Sequence, residues 1–179
     1  MNENKCFGDC LIKLFMLIKK INPDYLRSFV FGCQDALVST TGIVIGISTA
    51  VSNRNFVLLS ALVTVTVEAL SMAAGQYLSE KSVHDLSKKH HTDNLFYGSL
   101  IMFFSYLIGG IIPILPVLFT SSIWTPFLSV VYAFSGLLLL GYIKGKLFIG
   151  NPIRNSIEMM IIGGLAVLIG LFVGSLFKI

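Results

Sequence analysis

Five long apolar stretches, none of which contains Lys or Arg, constrain this sequence more than any other feature. Crossing ~30 Å of hydrocarbon takes about 20 helical residues. The stretches that are long enough are Phe29–Val51, Phe56–Ser79, Leu95–Phe119, Ile123–Ile143 and Ile157–Phe177. Backbone polar groups find no water inside a bilayer, so such stretches must be helical. The sequence therefore predicts an all-α polytopic membrane protein with five transmembrane helices.

Composition excludes a soluble domain. Hydrophobic residues make up 55% of the 179 residues and charged residues only 12%, too few to cover a water-exposed exterior. The segments between the spans are too short for a folded module. We divide the chain into an interfacial segment (residues 1–27) and a membrane domain (residues 28–179). The first contains a predicted amphipathic helix, Cys6–Lys20, that stops before Pro23.

The distribution of Lys and Arg predicts the orientation, because cytosolic loops are enriched in them. With a cytosolic N-terminus, eleven basic residues lie inside and two, Arg54 and Lys178, lie outside. We therefore place the N-terminus in the cytosol and the C-terminus on the opposite side. The membrane in which the protein resides does not follow from this count.

Two carboxylates, Asp35 and Glu68, lie well inside the spans. A carboxylate near a helix centre costs roughly 2.5–3.5 kcal/mol on insertion scales, which marks it as a functional candidate. No span contains a basic residue to pair with either. Their counter-charge must then be a proton or a cation that comes and goes. The alternative is a protonated carboxyl that is hydrogen-bonded to a neighbouring helix.

Span two carries polar or sulfur-containing side chains at every fourth position, which places them along one helical face. They are Thr64, Glu68, Met72, Gln76 and Glu80. At ~1.5 Å per residue, Met72 and Asp35 lie at similar depths below the cytosolic surface, and Glu68 lies one turn deeper. Carboxylates with a thioether favour first-row metals such as Fe²⁺ over magnesium or calcium. We predict metal ligands at Asp35, Glu68, Met72, Gln76 and Glu80; the alternative for Met72 is packing.

Weaker candidates lie in the long inner segment between spans two and three. His84, Asp85, His90 and His91 are possible approach residues for a metal, although solvated loop polarity is the simpler interpretation. We find no nucleophile–base pair, phosphate loop or zinc-spaced cluster, so an enzyme is not predicted. No bound cofactor and no nucleic-acid partner are predicted either.

Two GxxxG patterns, Gly42–Gly46 in span one and Gly170–Gly174 in span five, permit close helix approach. Packing within one chain is the favoured interpretation. A dimer contact is the alternative for the motifs themselves. We predict a homodimer in which span one lies near the two-fold axis, because of Gly42, Gly46 and the unpaired Asp35.

Several motifs resemble the vacuolar iron transporter family, which includes nodulin-21-like proteins. Asp35-Ala-Leu-Val-Ser39 resembles the family's Asp-Gly-Leu-Val-Ser/Thr, and Ser71-Met-Ala-Ala-Gly-Gln-Tyr-Leu-Ser79 resembles Ser-Met-x-x-Gly-Glu-Tyr-Leu-Ser. Gly109-Gly-Ile-Ile-Pro-Ile-Leu-Pro116 resembles Gly-x-x-x-Pro-Leu-x-Pro, and Gly150-Asn-Pro-Ile-Arg154 also matches. The likeness runs in colinear order from about Tyr25 to Phe177.

This resemblance implies a homodimer that moves Fe²⁺, and often Mn²⁺, out of the cytosol in exchange for protons, along a path between the subunits. Asp35 and Met72 match the family's span-one Asp and span-two Met. The sequence departs from the family at three places: Gln76 replaces a Glu, the second span-two carboxylate is Glu68 rather than residue 64, and the family's Glu-rich cytosolic helices are reduced to Glu80–Asn94. A membrane scaffold or partner subunit that keeps the fold without transporting is the alternative function.

Overall fold

The computed structural model describes residues 23–86, 95–119, 124–147 and 151–177, which form five long helices. They are α1 (Pro23–Ala50), α2 (Arg54–Leu86), α3 (Leu95–Phe119), α4 (Thr125–Leu147) and α5 (Pro152–Leu176). All five are long and apolar enough to cross a membrane. The predicted all-α fold with five membrane helices is confirmed, and the protein is an integral membrane protein. The predicted amphipathic helix Cys6–Lys20 lies outside the described residues.

Four of the five helices are longer than the apolar stretches that predicted them; α4 continues to Leu147 and α5 begins at Pro152. α1 begins at Pro23 rather than near Phe29, and α2 continues to Leu86 rather than ending near Ser79. Hydropathy reports the thickness of hydrocarbon crossed, whereas backbone hydrogen bonding continues until a residue interrupts it. Proline suits the first helical position because the amide it lacks would have no partner there. The assignment of residues 80–86, 144–147 and 152–156 to the segments between the spans was therefore wrong.

α1 is the central helix of the bundle. It packs against α3 and α5 along much of its length and also contacts α4 and α2. One apolar cluster lies between α1, α2 and α3 and includes Ala36, Val65 and Tyr106. A second lies between α1, α4 and α5 and includes Leu37, Leu137 and Met159. α2 is peripheral: among the described helices it contacts only α1 and α3.

The GxxxG patterns of α1 and α5 pack against each other within the chain. A methyl group at Gly46 would lie 3.1 Å from the Gly170 carbonyl oxygen, and one at Gly42 would lie 3.4 Å from that of Ala166. From the other side, methyl groups at Gly170 and Gly174 would collide with the carbonyls of Gly42 and Gly46. The interpretation of these motifs as intramolecular packing is confirmed. They give no support for placing span one at a two-fold axis.

We expect Gly170→Ala to lower the free energy of unfolding by ~1–3 kcal/mol, the usual cost of overpacking, because backbone rather than a movable side chain occupies the space. Gly164→Ala is a matched control on the same helix, where the added methyl group meets only Phe134 Cζ at 3.9 Å. Chemical unfolding in mild detergent would compare the two variants. Equal stability would mean that the α1–α5 contact is looser than described.

The N-terminal end of α2 is tied to the C-terminal end of α3 by Arg54. Its Nε donates to the carbonyl oxygen of Val117 at 2.8 Å, and its Nη2 donates to that of Leu118. The last carbonyls of a helix lack intrahelical donors and carry partial negative charge, so a guanidinium is a favourable partner. This contact fixes the position of α2 at the end of the bundle opposite Glu80.

Candidate metal path

The predicted stripe on α2 lies beside the face that anchors this helix. Buried small residues, among them Val65, Ala69 and Ala73, hold α2 on the bundle. The neighbouring stripe is half-buried along its whole length and consists of Thr64, Glu68, Met72, Gln76 and Glu80. Its side chains form hydrogen bonds to α1 and α3. The stripe therefore lies in the angle between these helices rather than facing lipid.

A cavity of about 880 Å³ occupies the end of this angle that lies near Glu80. Three of the predicted metal ligands line it: Glu80, Gln76 and Met72. Arg27 and Gln34 of α1, Met102 of α3 and Lys144 of α4 line it as well. Neither Asp35 nor Glu68 lines the cavity; Asp35 follows Gln34, and Glu68 lies one turn beyond Met72. The structure thus separates the predicted ligands into a cavity group and a deeper group.

Gln76 is the centre of a small polar network in the cavity. Its Nε2 donates to Ser28 Oγ on α1 and to Glu80 Oε1 at 2.8 Å. Its Oε1 is buried and has no hydrogen-bond partner among the described residues. Gly98 of α3 leaves room for the side chains of Gln76 and Glu80, since a methyl group at Gly98 would lie 3.3 Å from Gln76 Nε2. A buried oxygen without a donor is a suitable acceptor for water or a cation.

Glu68 accepts hydrogen bonds from two hydroxyl groups on the two neighbouring helices. Ser39 of α1 donates to its Oε2 at 3.2 Å, and the fully buried Tyr106 of α3 donates to the same oxygen. The hydroxyl oxygens of Ser39 and Tyr106 are 2.7 Å apart. Hydroxyl groups can both donate and accept, so this cluster can hold Glu68 with or without a proton.

Asp35 is half-buried on α1 and lies within electrostatic range of Glu68. No side chain among the described residues donates a hydrogen bond to it, in contrast to Glu68. A cation nearby would offset the repulsion between the two carboxylates, since an opposite charge favours the charged form of a carboxylate. In the described part of the chain, however, no three His, Cys, Asp or Glu side chains come close enough to hold a metal together.

The approach residues lie apart from this path. His84 and Asp85 are on the last turn of α2, where His84 Nδ1 and Asp85 Oδ1 are 4.0 Å apart, and neither lines the cavity. His90 and His91 lie outside the described residues. His84, the one predicted histidine among the described residues, is therefore not brought to the metal path.

Sequence reasoning missed Ser28, Ser39, Tyr106 and Met102. The three hydroxyl residues are common in membrane helices and carry no charge, so nothing in their composition sets them apart. Tyr106 offered one signal. It lies in the middle of span three, away from the interfacial positions where tyrosine concentrates.

The fold and these side chains define an integral membrane protein with five helices and an internal line of polar and sulfur-containing groups on α2. A profile of the VIT family matches residues 26–95 and 89–175. The chain belongs to the VIT family.

Curated relatives resemble the chain over most of its length. Vacuolar iron transporter homolog 2 of Oryza sativa subsp. japonica is 27% identical over 164 residues, covering 81% of this chain and 86% of the relative. Vacuolar iron transporter 1 of the same organism is 25% identical over 206 residues, covering 80% and 81%. Vacuolar iron transporter homolog 2 of Arabidopsis thaliana is 25% identical over 154 residues, covering 79% of each chain. These relatives are named as transporters, not enzymes.

Proposed function

We propose that this protein transports Fe²⁺, and secondarily Mn²⁺, out of the cytosol in exchange for protons. The observation that carries the proposal is the order of donors along α2. From the cavity inward they are the Glu80 carboxylate, the unpartnered Gln76 Oε1, the Met72 thioether and the Glu68 carboxylate. A cation entering at Glu80 meets a new donor at each helical turn. The names of the relatives support iron as the cargo.

The path divides into capture and exchange. Glu80 and Gln76 make the cytosolic approach, and Asp35 with Met72 bind the metal directly. A divalent cation between Asp35 and Glu68 removes the repulsion between their charges, whereas an empty site is neutralised by protons. Metal and protons then compete for the same oxygens, which is the minimum requirement for exchange. Ser39 and Tyr106 hold Glu68 in place through both states.

The positions of Asp35 and Met72 favour transport over the scaffold alternative. Lipid-facing positions for these two residues would have suited a protein that keeps only the fold. Met72 instead lines the cavity and packs against the apolar cluster of α1, α2 and α3. Asp35 is half-buried beside Glu68.

A homodimer completes the ligand set in this proposal. One chain offers Asp35, Glu68 and Met72, and two copies facing each other across a two-fold axis offer about six groups. From residue 32 onward α1 has no fully exposed residue, whereas the face of α2 next to the stripe is exposed at Ser71 and Gly75. We therefore expect α2, rather than the glycines of α1, to approach the partner.

Cysteine cross-linking tests this interface, in a background with Cys6, Cys10 and Cys33 replaced by serine. Gly75→Cys should cross-link two chains efficiently, since none of the described residues of this chain lies within 4 Å of its added atom. Leu168→Cys is the control, because Leu168 is 62% exposed on the outer face of α5. This variant should not cross-link. The reverse result would move the interface to α5.

Metal selectivity tests the transport proposal directly. Met72→Leu keeps the volume, which usually costs less than ~1.5 kcal/mol, but removes a soft ligand. In proteoliposomes we expect Fe²⁺ uptake to fall several-fold more than Mn²⁺ uptake, because Mn²⁺ prefers oxygen ligands. An equal loss of Fe²⁺ and Mn²⁺ uptake would mean that Met72 contributes only to packing. If the parent protein takes up neither metal, the proposed function is overturned.

A further inference from the structure

We infer that Met102 of α3 is a second thioether donor that faces Met72, and that the two sulfur atoms form a soft-metal site in the cavity. This inference deepens the proposed function and rests on it for the identity of the cargo. It adds a specificity-determining residue, and it predicts affinity for thiophilic cations such as Ag⁺.

The register between α2 and α3 places the two methionines at the same depth. These helices run antiparallel: Gly98 lies against Gln76 and Glu80, and two turns further along α3 Tyr106 binds Glu68, two turns back on α2. Met102 is midway between Gly98 and Tyr106, and Met72 is midway between Gln76 and Glu68. Because the three residues of each helix are four positions apart, they lie on one face of that helix.

The direction of the Met102 side chain agrees with this register. Met102 is only 4% exposed, yet it lines the same cavity as Met72. Its Sδ would lie 3.0 Å from a methyl group at Gly32 of α1. The absence of a side chain at Gly32 therefore gives the sulfur room against α1, in the wall of the cavity.

The chemistry of the cavity makes this pair distinctive. Among the described residues that line it, Met72 and Met102 are the only two with sulfur. Carboxylate and amide oxygens lie on either side of them along α2. Thioethers prefer soft cations, whereas carboxylates accept hard ones. A cation that passes this level exchanges oxygen ligands for sulfur, so two thioethers would select more strongly for Fe²⁺ over Mn²⁺ than Met72 alone.

Four purified proteins test the pair: the parent, Met72→Leu, Met102→Leu and Met159→Leu. Met159 is the matched control, since it is 2% exposed, packs in the other apolar cluster and does not line the cavity. Titration with Ag⁺ measures soft-cation affinity, and the cysteine thiols contribute equally to all four proteins. Uptake of Fe²⁺ and Mn²⁺ into proteoliposomes gives the selectivity of each protein.

We expect Met72→Leu and Met102→Leu each to weaken one Ag⁺ site by roughly tenfold, the lower end of the range for a disturbed ligand shell, and to lower the Fe²⁺/Mn²⁺ uptake ratio. Met159→Leu should match the parent in both measurements. If Met102→Leu behaves like Met159→Leu in both its Ag⁺ affinity and its Fe²⁺/Mn²⁺ uptake ratio, the inference of a thioether pair is overturned. If the parent transports neither metal, the proposed function is overturned, and the Ag⁺ affinities alone then support or overturn the pair.

Discussion

Replacing Asp35 with asparagine is expected to abolish metal uptake at every pH. Asparagine keeps the shape of the side chain but removes the carboxylate that has no hydrogen-bond donor among the described residues. Removing one partner of a buried ion pair costs roughly 3–5 kcal/mol. We therefore expect metal uptake to fall by at least about 100-fold. Fe²⁺ uptake into proteoliposomes, compared between the parent and Asp35→Asn across a range of pH values, would measure this loss.

Glu158→Gln is the matched control for this experiment. Glu158 is on α5 and pairs with Arg154 at 3.0 Å, in an exposed position away from the cavity. Neutralising it changes the same chemical group without touching the proposed path. If Asp35→Asn transports like Glu158→Gln, the Asp35 carboxylate is not a metal ligand.

Replacing Glu68 with glutamine should give a different result: a folded dimer with low flux that no longer responds to a pH gradient. Glutamine can keep an oxygen acceptor for Ser39 and Tyr106, so the hydrogen bonds that position residue 68 survive. It cannot release a proton when metal arrives, so exchange at this position is lost. Asp35 and Met72 remain, and slow uncoupled movement of the metal is therefore retained.

The measurement compares uptake into vesicles with a neutral and an acidic lumen, with the lumen corresponding to the non-cytosolic side. An acidic lumen should accelerate uptake by the parent, because protons leaving the vesicle drive metal inward. Glu68→Gln should take up metal at the same slow rate under both conditions. Parent-like acceleration in this variant would make Glu68 a neutral packing residue.

The sequence predicted the five helices and both ends of α3 well, and several of the other ends poorly. Apolar length is a direct consequence of bilayer thickness, whereas the extension of α1 back to Pro23 and of α2 to Leu86 depends on helical hydrogen bonding in water, which hydropathy does not report. The GxxxG motifs predicted close approach, but not which helix is approached. That Gly42 lies against α5 is a property of the tertiary arrangement.

The site was predictable where it follows a single helix. Spacing alone placed Glu68, Met72, Gln76 and Glu80 on one face, and the structure has them there. Contacts between helices were not predictable, since they depend on the register of α2 against α3. The hydrogen bonds of Tyr106 and Ser39 to Glu68 are such contacts. The depth of Met102 relative to α2 was not predictable for the same reason.

The contact between α1 and α5 also limits how the bundle can move. At Gly42 and Gly170 the two helices touch through backbone atoms, so no side chain there can change rotamer to let one helix slide past the other. Movements between packed helices normally rely on such side-chain adjustments. We therefore expect α1 and α5 to move as one unit, and a change of access to the cavity to occur where side chains make the contact, as they do between α2 and its two neighbours.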